Sequence, residues 1–371
     1  MISALRMSRQ LIPAHPRAWV EVDLGALRRN GAALAERAGV PLLAVIKADG
    51  YGLGAVRVAQ ALEPLDPWGF GVAAVAEGVE LRQAGITRPI LVLSPVLADE
   101  HPTIRAAGLR PSLGDATAIA RWNDSGGGPW HLSIDTGMSR AGAPWQNVAS
   151  LRSLIERHPP EGAYTHFHSA DTDPASVVEQ KRRFRCALET LPARPSLLHA
   201  ENSPAIERGE RSEFDLARPG VFLYGVGGGQ GATMTPEPVA HLRARVVEIR
   251  TIDAGESCSY GATWRASGTC RIATLGIGYA DGYRRALSNR GTVLVRGQRA
   301  PIAGIVTMDM IMIDVTNIAC EIGDVATLIG RDGDEILTVD DVATTGQLLS
   351  YEILVGLKLR APRVYIDEPP T

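Results

Sequence analysis

The chain is short of the features that mark membrane, nucleic-acid and metal-binding proteins. No apolar stretch in its 371 residues is long enough to span a bilayer. The opening MISALRMSRQLIPAHPRAW has none of the continuous apolar core that a secretory signal needs, so a cytosolic location is expected. Lysine plus arginine (38) nearly balance aspartate plus glutamate (41), for a net charge of -3. Without a run of like charge, neither a nucleic acid nor a membrane surface is an expected partner. Cys186, Cys258, Cys270 and Cys320 are scattered without CxxC spacing, which argues against a zinc site and against a disulfide scaffold. No internal repeat or low-complexity tract is evident. What remains is ordinary globular composition, 45% hydrophobic and 21% charged, with material for two domains and a small-molecule ligand as the default partner.

Between about residues 40 and 225, short apolar, β-rich runs alternate with helical segments. Eight candidate strands stand out: Pro41 to Lys47, Trp68 to Ala73, Pro89 to Pro95, Leu109 to Leu113, His131 to Thr136, Ala163 to His168, Ser196 to Asn202 and Phe214 to Gly220. Eight βα units predict a closed (β/α)8 TIM barrel. The competing doubly wound sheet usually carries a GxGxxG turn after its first strand, and none occurs here. After Tyr224 a Gly/Pro-rich stretch, GVGGGQGATMTPEP, marks a domain boundary. Beyond it come strand-like runs without intervening helices, with Asp332-Gly333 as a tight turn and one late helix from Thr338 toward Leu357, opened by a capping box with Asp341. The expected organisation is a barrel over residues 19–236 and a mostly β domain formed by 1–18 and 237–371.

Barrel enzymes place their chemistry at the carboxyl ends of the strands. Here those ends are polar. The first closes on Lys47, in AVIKADGYGLG, where apolar walls lower the pKa of an amine and glycines allow backbone to approach a ligand. The fifth carries Asp135 and leads to Arg140, the sixth carries His166 and His168, the seventh ends on Asn202 and Ser203, and the eighth bears Arg218. Taken singly each has a structural reading: a solvated strand-end lysine, core histidines at 166 and 199, a salt-bridging arginine, a helix-capping serine. Five converging polar ends describe a site.

These stretches, with IDTGMSRAG, YTHF, ENS, ARPGVFLYG, SYGATW, GYADGYRR, TMD and SYE in this order, make nearly the whole chain resemble the alanine racemases, pyridoxal phosphate enzymes. The resemblance implies that Lys47 carries pyridoxal 5'-phosphate as an imine. It places the phosphate near Tyr51, Ser203, Gly220, Val221 and Tyr351, with Asn202 nearby, His166 against the ring and Arg218 at the ring nitrogen. A guanidinium there keeps its proton, which favours racemisation over transamination. Two bases must flank the α carbon: Lys47 on one face and Tyr260, helped by His166, on the other. Arg140 and the Met308 backbone amide would take the substrate carboxylate, and Tyr283 would narrow the entry channel. Because Tyr260 lies in the β domain, the resemblance implies a head-to-tail homodimer with shared active sites.

Departures from the family pattern bear on the substrate. Ser133 stands where a lysine, often carbamylated, commonly precedes the DTGM aspartate; Ile305 follows Gly304 where an arginine is common; Leu53 replaces the histidine of YGHG. A shift toward serine or another small amino acid is therefore an alternative. A decarboxylase of the same architecture is another, disfavoured by Arg218 and Tyr260. A cofactor carrier without turnover is a third, disfavoured by the second domain.

Overall fold

In a computed structural model of the chain, residues 16–209, 211–227 and 231–367 are described. Most of the opening stretch weighed as a signal, and the central glycines of the expected linker, lie outside them. The chain divides into two compact units. One contains Val22–Ala240 with Leu349–Val355 and the residues from Tyr365 onward; the other contains the residues up to Glu21, His241–Leu348 and Gly356–Val364.

The first unit is built on eight parallel strands in sequential order: Leu43–Val45, Gly69–Val72, Ile90–Pro95, Arg110–Leu113, His131–Asp135, Gly162–Tyr164, Leu197–Asn202 and Leu216–Arg218. A parallel bridge between Leu42 and Ala217, with Val45 N–H donating to Pro219 O at 2.9 Å, joins the last strand to the first and makes the sheet a barrel. All eight expected strands are present, each shorter than its apolar run. The fourth carries little sequence signal because Arg110 and Ser112 are polar: Arg110 leaves the sheet to pair with Glu161 at 2.5 Å, and Ser112 is buried. Leu43, Phe70, Val72, Leu91, Leu132, Ala163 and Ala217 fill the strand layer without exposure.

Helices cross between strands, and side-chain caps fix where they start. Asp23 accepts from Ala26 N–H at 2.8 Å to open Leu24–Ala38, which ends on left-handed Gly39. Asp173 caps Pro174–Glu189, whose proline occupies the first turn, where its missing N–H costs nothing. Asn202 caps Ser203–Arg208 at the top of the seventh strand.

The second unit is antiparallel. Its long strand Ala240–Ile252 pairs with Cys270–Leu275 along one part and Val325–Asp332 along another, and a hairpin turns at Asp332 and left-handed Gly333 into Glu335–Leu337. The late helix expected as one is two. Val339–Gly346 opens on the Thr338–Asp341 capping box and stops because Gln347 adopts a left-handed backbone (φ 55°); Ser350–Val355 follows and groups with the barrel unit.

Asn30 tests the barrel's packing. Its buried amide donates to Leu223 O (3.3 Å) and Glu237 O (2.9 Å) and accepts from Glu237 N–H (2.8 Å). Asn30→Ala leaves these groups unpaired and should cost about 2–3 kcal/mol in urea unfolding.

Candidate active site

A cavity of about 470 Å³ opens at the carboxyl ends of the barrel strands, a size suited to a small-molecule ligand. Lys47, Tyr51, Arg140, His166, Asn202, Ser203, Arg218, Gly220, Val221 and Tyr351 all line it. Tyr164, Ser133 and Asp135 line it too.

Lys47 is the last residue before an unusual turn. Ala48, Asp49, Gly50 and Tyr51 all hold left-handed dihedrals, with φ between 53° and 60°. For a residue with a Cβ this conformation costs on the order of 1–2 kcal/mol, so the turn requires outside support. Glu77 supplies it: one carboxylate oxygen accepts from Ala48 N–H (2.6 Å) and the other from Ala73 (2.7 Å) and Ala74 N–H (3.1 Å). Asp49 accepts from Ala55 N–H at 2.8 Å, and the Tyr51 ring stacks on Tyr224 at 4.5 Å between centroids. Tyr224 in turn donates to Val45 O. Burial and the Arg140 charge lower the Lys47 pKa against the opposing pull of Glu77, which favours a neutral, nucleophilic amine.

Arg218 is 3% exposed and, among the described residues, has no carboxylate within bonding reach. Its donors go to neutral acceptors: Thr165 O (2.6 Å), Ala200 O (3.1 Å) and His199 Nδ1 (2.9 Å), with His166 Nδ1 at 3.5 Å and its guanidinium over the Tyr164 ring. Burial lowers its pKa to about 10, so it still keeps its proton near neutrality.

Since a guanidinium only donates, His199 Nδ1 must accept. Its Nε2–H then donates to His131 Nδ1 at 2.8 Å, which leaves His131 Nε2–H facing Glu161, 3.4 Å away. Glu161 is held by Arg110, and its pKa falls to about 2 because His131 and Arg110 outweigh its burial. One string of neutral imidazoles thus runs through the barrel interior to a carboxylate. Burial lowers His199 and His131, and burial together with Arg218, Arg140 and Lys47 lowers His166 to about 3.

Above the eighth strand, the Ser203 hydroxyl accepts from Gly220 N–H (2.9 Å) and Phe222 N–H (3.3 Å). A Cβ on Gly220 would stand 2.6 Å from the Tyr51 hydroxyl, so only glycine leaves this cup open. Tyr351 stands beside Tyr51, with ring centroids 6.2 Å apart. Arg140 makes no hydrogen bond or ion pair among the described residues, and the buried Ser133 provides no anion for it.

The other three candidates lie in the second unit. Tyr260 is 73% exposed and Met308 52% exposed, on neighbouring loops tied by a bond from the Ser259 hydroxyl to Ile305 O at 2.7 Å. Tyr283 is 2% exposed, with its hydroxyl unpartnered among the described residues; Tyr279, in the same GYADGY motif, is the exposed one. Sequence reading passed over Glu77 because its role depends on a turn whose handedness no spacing reveals, and over Tyr164 and Tyr224 because both look like core aromatics. His199 was noticed only as a core histidine, which its burial confirms while its bond to Arg218 adds a role.

Comparison with known proteins follows this geometry. Residues 22–227 match the N-terminal and 239–365 the C-terminal domain of alanine racemase. The chain is 40% identical to the alanine racemase of Synechocystis sp., over 94% of this chain and 99% of that one, and 40% identical to that of Deinococcus radiodurans with the same coverage. Its fold is similar to the crystal structure of alanine racemase from E. faecalis (TM-score 0.90, 32% identity, covering 95% of this chain and 99% of that one). It is also similar to that from Bartonella henselae with covalently bound pyridoxal phosphate (TM-score 0.87, 30% identity, 95% and 100% covered).

Two outcomes follow. Glu77→Ala strips the left-handed turn of its acceptors and should cost about 2–3 kcal/mol, read by urea unfolding, whereas Glu77→Gln keeps acceptor capacity and loses less. Second, unfolded imidazoles take up protons near pH 6.5 while the buried ones resist to far lower pH. Groups with depressed cationic pKa values disfavour folding as pH falls, so the urea midpoint should be flat in their contribution above pH 6.5. It should decline from there toward pH 3.

Proposed function

Because the chain belongs to the alanine racemase family and so interconverts L- and D-alanine, we propose that it does so with pyridoxal 5'-phosphate held in the barrel cavity, in a homodimer whose sites are shared. The observation that carries this reading is the convergence of a pKa-lowered lysine and a buried, still protonated arginine on one cavity. The cavity fits the cofactor: its cup stays open only with Gly220, the Ser203 hydroxyl and the Gly220 and Val221 backbone lie beside it, and Tyr51 and Tyr351 add hydroxyls. Lys47, Tyr51, Ser203, Gly220, Val221 and Tyr351 would hold the aldehyde and phosphate ends, with Asn202 nearby, His166 against the ring and Arg218 at its nitrogen. When bound, the cofactor supplies a conjugated ring that acidifies the hydrogen on the substrate's α carbon.

This chain's residues do the rest. Arg218 donates but does not cede its proton, so it would leave the nitrogen of a bound ring unprotonated, which favours racemisation over transamination. Lys47, whose pKa burial lowers, takes or returns the proton on one face. On the other face the phenol of the partner's Tyr260 acts, aided by His166: with its Nδ1 turned to Arg218, the neutral imidazole offers Nε2–H to a phenolate. Arg140 and the amide of the partner's Met308 receive the carboxylate. The exposure of Tyr260 in a single chain supports its use by a second copy, and Tyr279, exposed where Tyr283 is buried, would line the approach. We place the enzyme in the cytosol; among the described residues no helix is long and apolar enough to cross a membrane. Arg140, without an anionic partner, also favours a side activity on serine, whose hydroxyl could bond where a carbamate is missing.

Purified protein should remove the optical rotation of L-alanine, and borohydride should fix the cofactor on Lys47. Tyr260→Phe should cut interconversion at least about a hundredfold while one enantiomer still exchanges its α-hydrogen with D2O. Mixing inactive Lys47→Ala and Tyr260→Phe chains should restore about a quarter of wild-type activity if sites are shared, since half the dimers then hold one intact site. No restoration would place both groups in one chain. Loss of both exchange and interconversion at Lys47 alone, with Tyr260→Phe at the wild-type rate, would remove the two-base assignment.

A further inference from the structure

The exposed Met308 sits in a loop whose backbone is fixed on both sides of its own N–H. The Thr307 carbonyl accepts from Tyr279 N–H (3.0 Å), the Met308 carbonyl accepts from Ala280 N–H (3.0 Å), and Thr307 N–H closes the loop onto Met310 O at 3.1 Å. Gly278 must be glycine here, because a side chain would run into the Thr307 and Met308 carbonyls. The Met308 N–H itself makes no hydrogen bond among the described residues. A rigid peptide with one unspent donor is a receptor for an anionic oxygen.

Arg360 locks this arrangement from behind. Its Nε and Nη2 grip Asp281 in a bidentate pair at 2.6 and 2.8 Å, its Nη1 bonds Asp309 at 2.7 Å, and Nη2 also reaches the Met308 carbonyl at 3.4 Å. Asp281 is 1% exposed and accepts as well from Gly278 N–H at 2.8 Å, so the arginine connects both strands of loop that frame Met308. A planar fork makes these four contacts in fixed directions, including a bidentate grip on one carboxylate, which the three donors of a lysine cannot.

We propose that Arg360 is a positioning residue for substrate carboxylate recognition: through Asp281, Asp309 and the Met308 carbonyl it sets where the Met308 N–H points. This rests on the reading of Met308 as a carboxylate donor in a racemase. Arg360 touches no reacting atom in this role. Its removal should therefore weaken the hold on the carboxylate and leave proton transfer alone.

The test uses the holoenzyme of Arg360→Gln and of Asp309→Asn, whose side chain is half-exposed. KM for L- and D-alanine should each rise about tenfold in Arg360→Gln and less in Asp309→Asn, with kcat within about twofold of wild type. Titration of the visible cofactor spectrum with ethylamine, which has the amine but no carboxylate, should be unchanged in both. Equal weakening for alanine and ethylamine, a fall in kcat at constant KM, or unchanged KM in both variants would overturn the proposal. Should Arg360→Gln fail to fold, the same readings on Asp309→Asn decide it. A wild-type protein that racemises nothing removes the racemase reading itself; an active wild type with the wrong split in the variants removes only the role of Arg360.

Discussion

A buried cation bonded to no carboxylate among the described residues is the constraint on which the barrel's interior depends. Stripping a guanidinium of water is expensive, and a carboxylate partner is the usual remedy. Arg218 instead spreads its charge over two carbonyls, two imidazoles and an aromatic face. That choice has consequences down the barrel. His199 must be the Nε2–H tautomer, His131 must follow, and Glu161 with Arg110 closes the string. Neutral acceptors also leave the arginine a full positive charge to present to the cavity. An aspartate beside it would cancel much of that field and supply an acceptor for a ring proton.

Strain at Lys47 complements this rigidity. The left-handed run after the lysine turns the chain back so sharply that Tyr51 returns to the cavity beside Gly220, four residues past the amine it accompanies. The cost of the turn is offset by Glu77, Asp49 and the Tyr51–Tyr224 stack, none of which is free to relax. The amine and the Tyr51 hydroxyl beside Gly220 are thus placed by one short segment. Their separation does not depend on the mutual movement of helices.

Much of this was legible in the sequence, and what was not has a physical reason. The eight strands showed as apolar runs because both faces of a barrel sheet are buried, and the polar residues closing those runs line the cavity, except His168, which is exposed and bonds Ser169 instead. The fourth strand was faint since Arg110 and Ser112 interrupt its apolar pattern. Length and turn signals could not show that the late helix breaks at Gln347, a residue with no intrinsic preference for a left-handed backbone. Nor could they show Glu77, whose acceptors meet three amides from two different loops. Of the two tyrosines in GYADGY, sequence position does not say which is buried; packing against Gly291 and Leu287 puts Tyr283 inside and leaves Tyr279 at the surface.

In the racemase reading, serine at position 133 redistributes the work of substrate recognition. With serine there, Arg140 has no bonded anion among the described residues to hold its guanidinium in one orientation, and such an arginine side chain would lose rotamer entropy on engaging a carboxylate. The Met308 amide suffers no such loss, because its flanking carbonyls are already bonded and Arg360 reaches that of Met308. In the racemase reading, carboxylate affinity shifts from the mobile charge to the fixed dipole. A neutral donor binds more weakly than a guanidinium but discriminates by geometry. Tolerance then falls on the side-chain end of the substrate and strictness on the carboxylate end, which is the pattern expected of an enzyme that accepts alanine and its small polar analogues.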